Sequence, residues 1–233
     1  MRRTSIALWL IGSLALGAGL LTGARAAPVS ERLPVIAEEA RWREAFDAFA
    51  QADRIGAPAP GGVLFVGSSS IRLWDNLERQ FDGTTILKRG FGGSRLSDCR
   101  QYLSRLVVPY KPKLVVVYAG DNDLAEGRSP EQVAADFGAF VDGVRAELPS
   151  ARIAYLSIKP SPSRQHLLPS VRQANALIAA YTREGTNLDY IDIHSPMLDA
   201  VGAPRAELFG GDRLHLNRSG YELWRAVIAE HLR

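Results

Sequence analysis

The sequence predicts a single-domain three-layer α/β/α sandwich built around a parallel sheet of about five strands. Three observations lead there. Short continuous apolar runs alternate with longer stretches of helical periodicity, the pattern of a parallel sheet covered on both faces. Polar clusters containing glycine follow these runs, where ligands gather in such sheets. No internal repeat, low-complexity tract or linker divides the chain.

Residues 1–26 are expected to be a signal peptide. Arg2 and Arg3 precede an apolar run over 6–21, and Ala24-Arg25-Ala26 offers a small-residue cleavage site before Ala27. The alternative is a retained anchor, because the run approaches the shortest spanning length. No cysteine stands at the cut to carry a lipid, and no later segment is long and apolar enough to span a bilayer. The expected location is therefore periplasmic or secreted, with residues 27–233 forming the domain. Cleavage removes Arg2, Arg3 and Arg25 and no acid, so 28 − 3 = 25 basic residues face 25 acidic ones. A near-neutral mature domain argues against nucleic acid as a partner. Cys99 is the only cysteine, which rules out an intramolecular disulfide and fits a buried small apolar side chain.

The first helix is expected over residues 38–53, with Trp42, Phe46 and Phe49 on one face. A Pro/Gly-rich stretch over 56–62 ends it. Strands follow over 63–66, 84–88, 114–118, 153–158 and 188–193, and helices over 96–107, 130–148, 169–184 and from 219 to the end. Gly67, Gly92, Gly120 and the loop at Lys159 all follow strands, so they should converge on one edge of the sheet.

Four polar clusters lie at these exits. Gly67-Ser68-Ser69-Ser70 leads from a strand into a helix start, which suits either a nucleophile or a plain helix cap. Gly92-Gly93-Ser94 suits either a left-handed turn or a backbone N–H that approaches a reacting carbonyl. In Gly120-Asp121-Asn122-Asp123 the Asn122 amide can donate to an oxyanion, or the segment is only a turn. Asp212-Arg213-Leu214-His215 puts a carboxylate three residues before an imidazole, the pair that a nucleophilic serine requires. The bland alternative pairs Asp212 with Arg213. Among the other histidines only His194, beside Asp192 at a strand end, competes as a base. No His-Glu-x-x-His or cysteine ligand set suggests zinc, and the α/β-hydrolase elbow G-x-S-x-G does not occur.

Taken together these clusters resemble the SGNH, or GDSL-type, serine hydrolase family across nearly all of the mature chain. The resemblance implies a flavodoxin-like fold and no cofactor. Aligning Gly67 and Trp74 with the first family block places the nucleophile at Ser69. Gly93 and Asn122 match the glycine and asparagine of the middle blocks, and Asp212 and His215 the Asp-x-x-His pair. Two departures stand out: Ser68 replaces the usual aspartate, and Ser70-Ile71 the usual Ile-Thr. Ser68 and Ser70 therefore remain alternatives, although the register favours Ser69. The expected activity is hydrolysis of carboxylic esters through an acyl-enzyme. Oxyanion donors would be the N–H groups of Ser69 and Gly93 and the Asn122 side chain. No long apolar insertion suggests a lipase lid, so the expected substrate is a short acyl group on a sugar or small alcohol. Alternatives are a lysophospholipase or thioesterase acting on lipid acyl groups, and a noncatalytic binder of envelope glycans. Arg72, Arg95, Lys159 and Arg164 lie near the exit loops, either to recognise an anion or as structural and solvated charge.

Overall fold

The computed structural model describes residues 32–56 and 58–232, with side chains from residue 40 onward. The expected leader, residues 1–26, lies outside them. Two compact units are distinguished, Met1–Ala40 and Arg41–Arg233. Of the first, only helical residues 32–40 are described. Everything below concerns the second.

Helix α1 (Arg32–Gly56) crosses into this unit and presents Trp42 and Phe46 to the interior. The sheet consists of β1 (Val63–Gly67), β2 (Ile86–Gly90), β3 (Leu114–Tyr118), β4 (Arg152–Leu156) and β5 (Leu188–Ile191). All neighbours are parallel, in the order β2-β1-β3-β4-β5. Strand order reverses on either side of β1, which opens a crevice at the carboxyl ends of β1 and β3.

Side chains along each strand alternate between two cores. Leu64 and Val66 of β1 face one layer with Val115, Val117, Ile153 and Tyr155. That layer is covered by α1, by α3 (Leu96–Gln101), α4 (Leu103–Leu106), α6 (Pro130–Glu147) and α7 (Leu168–Glu184). Val63 and Phe65 face the other layer with Leu114, Val116, Ala154 and Leu156. There Trp74 packs with Tyr221, Trp224 and Ile228, the buried face of α8 (Arg218–Ala229). Burial on both faces explains why β1 and β3 are apolar throughout rather than alternating.

Several elements differ from the expected boundaries. The second strand runs on to Gly90, because two charged side chains that read as its end are paired within the fold. Lys88 Nζ donates to the Trp74 carbonyl at 2.9 Å, while the buried Arg89 guanidinium meets Asp53 and the Tyr110 hydroxyl. The helix expected over 96–107 breaks at Tyr102 (φ −103°, ψ 20°), where the ring packs against Phe46 and Trp42. Two short helices at strand exits, α2 (Ser69–Arg72) and α5 (Asp121–Ala125), have too few residues to show periodicity. Among the described residues no helix is long and apolar enough to cross a membrane.

Candidate active site

The turn after β1 depends on glycine. Gly67 has φ +143°, and a Cβ there would run into the Tyr118 carbonyl oxygen on β3. The Ser68 N–H donates to that same oxygen at 3.0 Å. The chain then enters α2, and successive residues turn to different sides. Ser68 and Ser70 are buried, and neither hydroxyl has a hydrogen-bond partner among the described residues. Ser68 occupies the cap position without using its hydroxyl as a cap. Ser69 is half-exposed, and its Oγ lies 2.9 Å from His215 Nε2. Of the three serines, the structure brings only Ser69 to the imidazole.

The other side of that contact is a tightly wound loop. Phe209 and Leu216 form an antiparallel bridge, and the Gly210 N–H donates to the His215 carbonyl at 2.8 Å. Asn217 caps α8 by accepting from the Gly220 N–H, and its amide donates to the carbonyls of Glu207 and Phe209. Within the loop, Asp212 Oδ1 accepts from the Leu214 and His215 N–H groups, both at 2.9 Å, and Oδ2 lies 2.5 Å from His215 Nδ1. The N–H groups of His215 and Leu214, then the ring itself, pull the Asp212 carboxyl down to about 2. Asp212 therefore faces His215 as a carboxylate rather than pairing with Arg213. A carboxylate at Nδ1 places the ring proton there, so the Nε2 lone pair faces Ser69.

Packing of α8 explains how residues so distant in sequence meet. The Tyr221 hydroxyl donates to the Ser70 carbonyl at 2.9 Å, and the Tyr221 ring stacks on Trp74, 5.2 Å between centroids. The serine turn and the histidine loop are thus fastened to one aromatic cluster.

Gly93 (φ +74°) lies in a turn whose carbonyls are taken up by α1. Trp42 Nε1 donates to the Gly92 carbonyl at 2.8 Å. In a trans peptide the N–H opposes the C=O, so the Gly93 N–H points away from Trp42. Neither it nor the Ser69 N–H has a partner among the described residues.

Asn122 lies in α5. Its Nδ2 donates to the Ser94 carbonyl at 3.1 Å, leaving one amide hydrogen free, and its Oδ1 accepts from Arg164 Nη2 at 3.1 Å. Arg164 and the buried Lys159 share Asp121, with Lys159 Nζ at 2.7 Å and Arg164 Nη1 at 3.3 Å from Oδ2. Burial pushes the Asp121 carboxyl up, but Lys159 and Arg164 outweigh it and hold it below its ordinary value. These contacts make Lys159 and Arg164 structural charge. Arg95, expected as a third candidate, pairs with Asp98 and Glu126. The latch of Arg164 on Asn122 was not foreseeable from spacing, since 42 residues separate them.

Ser69, Gly93, Asn122 and His215 line one open cleft of about 640 Å³, together with Arg41, Trp42, Glu44, Arg72, Gly92 and Leu214. His194 does not. Its Nδ1 lies 3.0 Å from the Ile158 carbonyl, and burial lowers its ring pKa. Among the described residues no group of three His, Cys, Asp or Glu side chains is placed to hold a metal ion.

A sheet of this order, with a serine, an imidazole and a carboxylate in line at its carboxyl edge, defines a hydrolase of the flavodoxin-like class. The family model of the GDSL-like lipase/acylhydrolase family matches residues 56–223, and the chain belongs to that family of ester-hydrolysing proteins. Comparison with curated proteins returned no match. Solved structures share the fold. A Streptococcus pneumonia protein provisionally named a platelet activating factor is 17% identical, with TM-score 0.74 over 88% of this chain and 100% of its own. A GDSL-like lipase from Bacteroides thetaiotaomicron is 20% identical, with TM-score 0.66 over 80% and 96%. A mutant of Axe2, an acetyl-xylooligosaccharide esterase from Geobacillus Stearmophilus, is 14% identical, with TM-score 0.61 over 75% and 95%.

Proposed function

We propose that this protein is an exported serine esterase that removes short acyl groups from a sugar or small alcohol through an acyl-enzyme. The observation that carries the reading is the unbroken line from Ser69 Oγ through His215 to Asp212, at 2.9 and 2.5 Å. His215 Nε2 takes the Ser69 proton as the oxygen attacks the ester carbonyl, and Asp212 stabilises the imidazolium that results. The tetrahedral oxyanion accepts from the Ser69 and Gly93 N–H groups and the free hydrogen of Asn122 Nδ2. His215 then protonates the leaving alcohol. Water enters, loses its proton to the same nitrogen, and releases the acid.

The preference for short acyl groups is supported by the sequence, which has no long apolar insertion that could serve as a lipase lid. The acetyl-xylooligosaccharide esterase of the same fold agrees with this reading. Export is supported by the order of residues 1–26 alone.

Treatment with a fluorophosphonate probe, followed by peptide mass spectrometry, tests the central claim. One adduct is expected, at Ser69, and none in Ser69→Ala. Labelling at Ser68 or Ser70 would move the nucleophile, and no labelling at all would favour a noncatalytic binder. A p-nitrophenyl ester series should peak at short chains, and a maximum at long chains would favour lipid substrates.

A further inference from the structure

We propose that this cleft selects esters carrying an anionic group, held between Arg41 and Arg72. The proposal rests on the esterase reading above and names its substrate class. Both arginines are exposed and line the cleft that holds Ser69 and His215. Each lies over one of two adjacent glycines. A Cβ added at Gly92 would stand 2.9 Å from Arg72 Nε, and one added at Gly93 would collide with Arg41 Nη2. Consecutive Cα atoms are about 3.8 Å apart, so two guanidinium groups flank one short length of backbone. That backbone carries the Gly93 N–H, the oxyanion donor of the esterase reading.

Neither charge has an ion-pair partner among the described residues. The Arg72 guanidinium makes no ion pair or hydrogen bond among the described residues. Among the described residues the Arg41 guanidinium contacts only the Gly93 carbonyl, at 3.4 Å, and the Trp42 ring, 5.0 Å from its centroid. Glu44 lines the same cleft and pairs with neither arginine. The other cations near the strand exits differ in this respect. Lys159 and Arg164 share Asp121, and Arg95 holds Asp98 and Glu126. Two like charges side by side, with no counterion among the described residues, form a receptor for a carboxylate or phosphate oxygen. The anion can belong to the acyl part of the ester or to its alcohol, and the two sources are separable by experiment.

The test uses the full-length chain and two matched pairs of esters at low ionic strength. p-Nitrophenyl hemisuccinate against p-nitrophenyl butyrate places the charge on the acyl side. 4-Acetoxybenzoate against its methyl ester places it on the alcohol side. In one pair the anionic member should have a kcat/KM about tenfold or more above the neutral one, the effect of one charge-assisted hydrogen bond. That ratio should shrink as salt is raised. It should fall severalfold in Arg41→Gln and in Arg72→Gln, and approach one in the double variant. A ratio near one in both pairs of the wild-type protein, with the neutral esters still turned over, overturns this inference and leaves the esterase reading standing. A preference that survives intact in the double variant also overturns it. Turnover of no ester at all overturns both.

Discussion

Arg164 serves two partners, and replacing it with methionine separates what each receives. Its Nη2 donates to Asn122 Oδ1 at 3.1 Å, and its Nη1 lies 3.3 Å from Asp121 Oδ2. Methionine keeps much of the aliphatic stem and removes both contacts. Asp121 retains Lys159 at 2.7 Å, so the stability lost should be about that of one hydrogen bond to a charged group, ~1.5–3 kcal/mol. The kinetic loss runs through Asn122. Without Arg164, only the Ser94 carbonyl at 3.1 Å still orients the amide. A turned amide would present its oxygen to the developing oxyanion. Loss of a whole oxyanion donor costs about 10²–10³ in kcat, which sets the ceiling. Removing one of two restraints should cost about tenfold, or ~1.4 kcal/mol of barrier. Hydrolysis of p-nitrophenyl acetate by the wild type, Arg164→Met, Asn122→Ala and the double variant measures this, with urea unfolding of each. In Arg164→Met, kcat should fall while KM holds. In the Asn122→Ala background the same change should cost under about twofold, because the group it positions is gone. Factors that simply multiply in the double variant would mean that Arg164 acts on the reaction by another route. An unchanged kcat in the single variant would mean that the Ser94 contact suffices.

Lys159→Met should destabilise the fold by about 3 kcal/mol, the low end for breaking a buried ion pair, since Arg164 stays beside Asp121. Adding Asp121→Asn should restore part of the urea midpoint, and an undisturbed midpoint in Lys159→Met would mean that Asp121 needs only Arg164. Asp123 predicts a pH effect. Burial pushes its carboxyl up to about 7 from an ordinary 3.8, so between those values the folded protein keeps a proton that the unfolded chain has released. Stability should therefore decline as pH rises through that window, by up to ~1.4 kcal/mol per unit. Asp123→Asn should remove that slope, and equal slopes in the two proteins would assign the decline to other groups.

The strands at 63–67 and 114–118 are legible in the sequence because both faces are buried, so nothing polar interrupts them. The same logic misplaces the end of β2, where Lys88 and Arg89 find partners that no local pattern reveals. The glycine-bearing clusters are legible for a related reason: a parallel sheet directs every strand exit to one edge, so their convergence follows from topology. The pairing of Asp212 with His215 is also local, since only two residues lie between them.

Other features depend on contacts between distant segments, which composition and periodicity do not encode. Three consecutive serines are chemically equivalent until a helical turn is docked against Trp74 and Tyr221, and that docking turns Ser69 outward and its neighbours in. Two cations at the same strand exit, Lys159 and Arg164, became structural because Asp121, at the start of α5, lies within reach. Arg41 and Arg72 meet no such carboxylate among the described residues and face the cleft. Residue type set what each group can do, whereas its partners and exposure were settled only when segments dozens of residues apart came into contact.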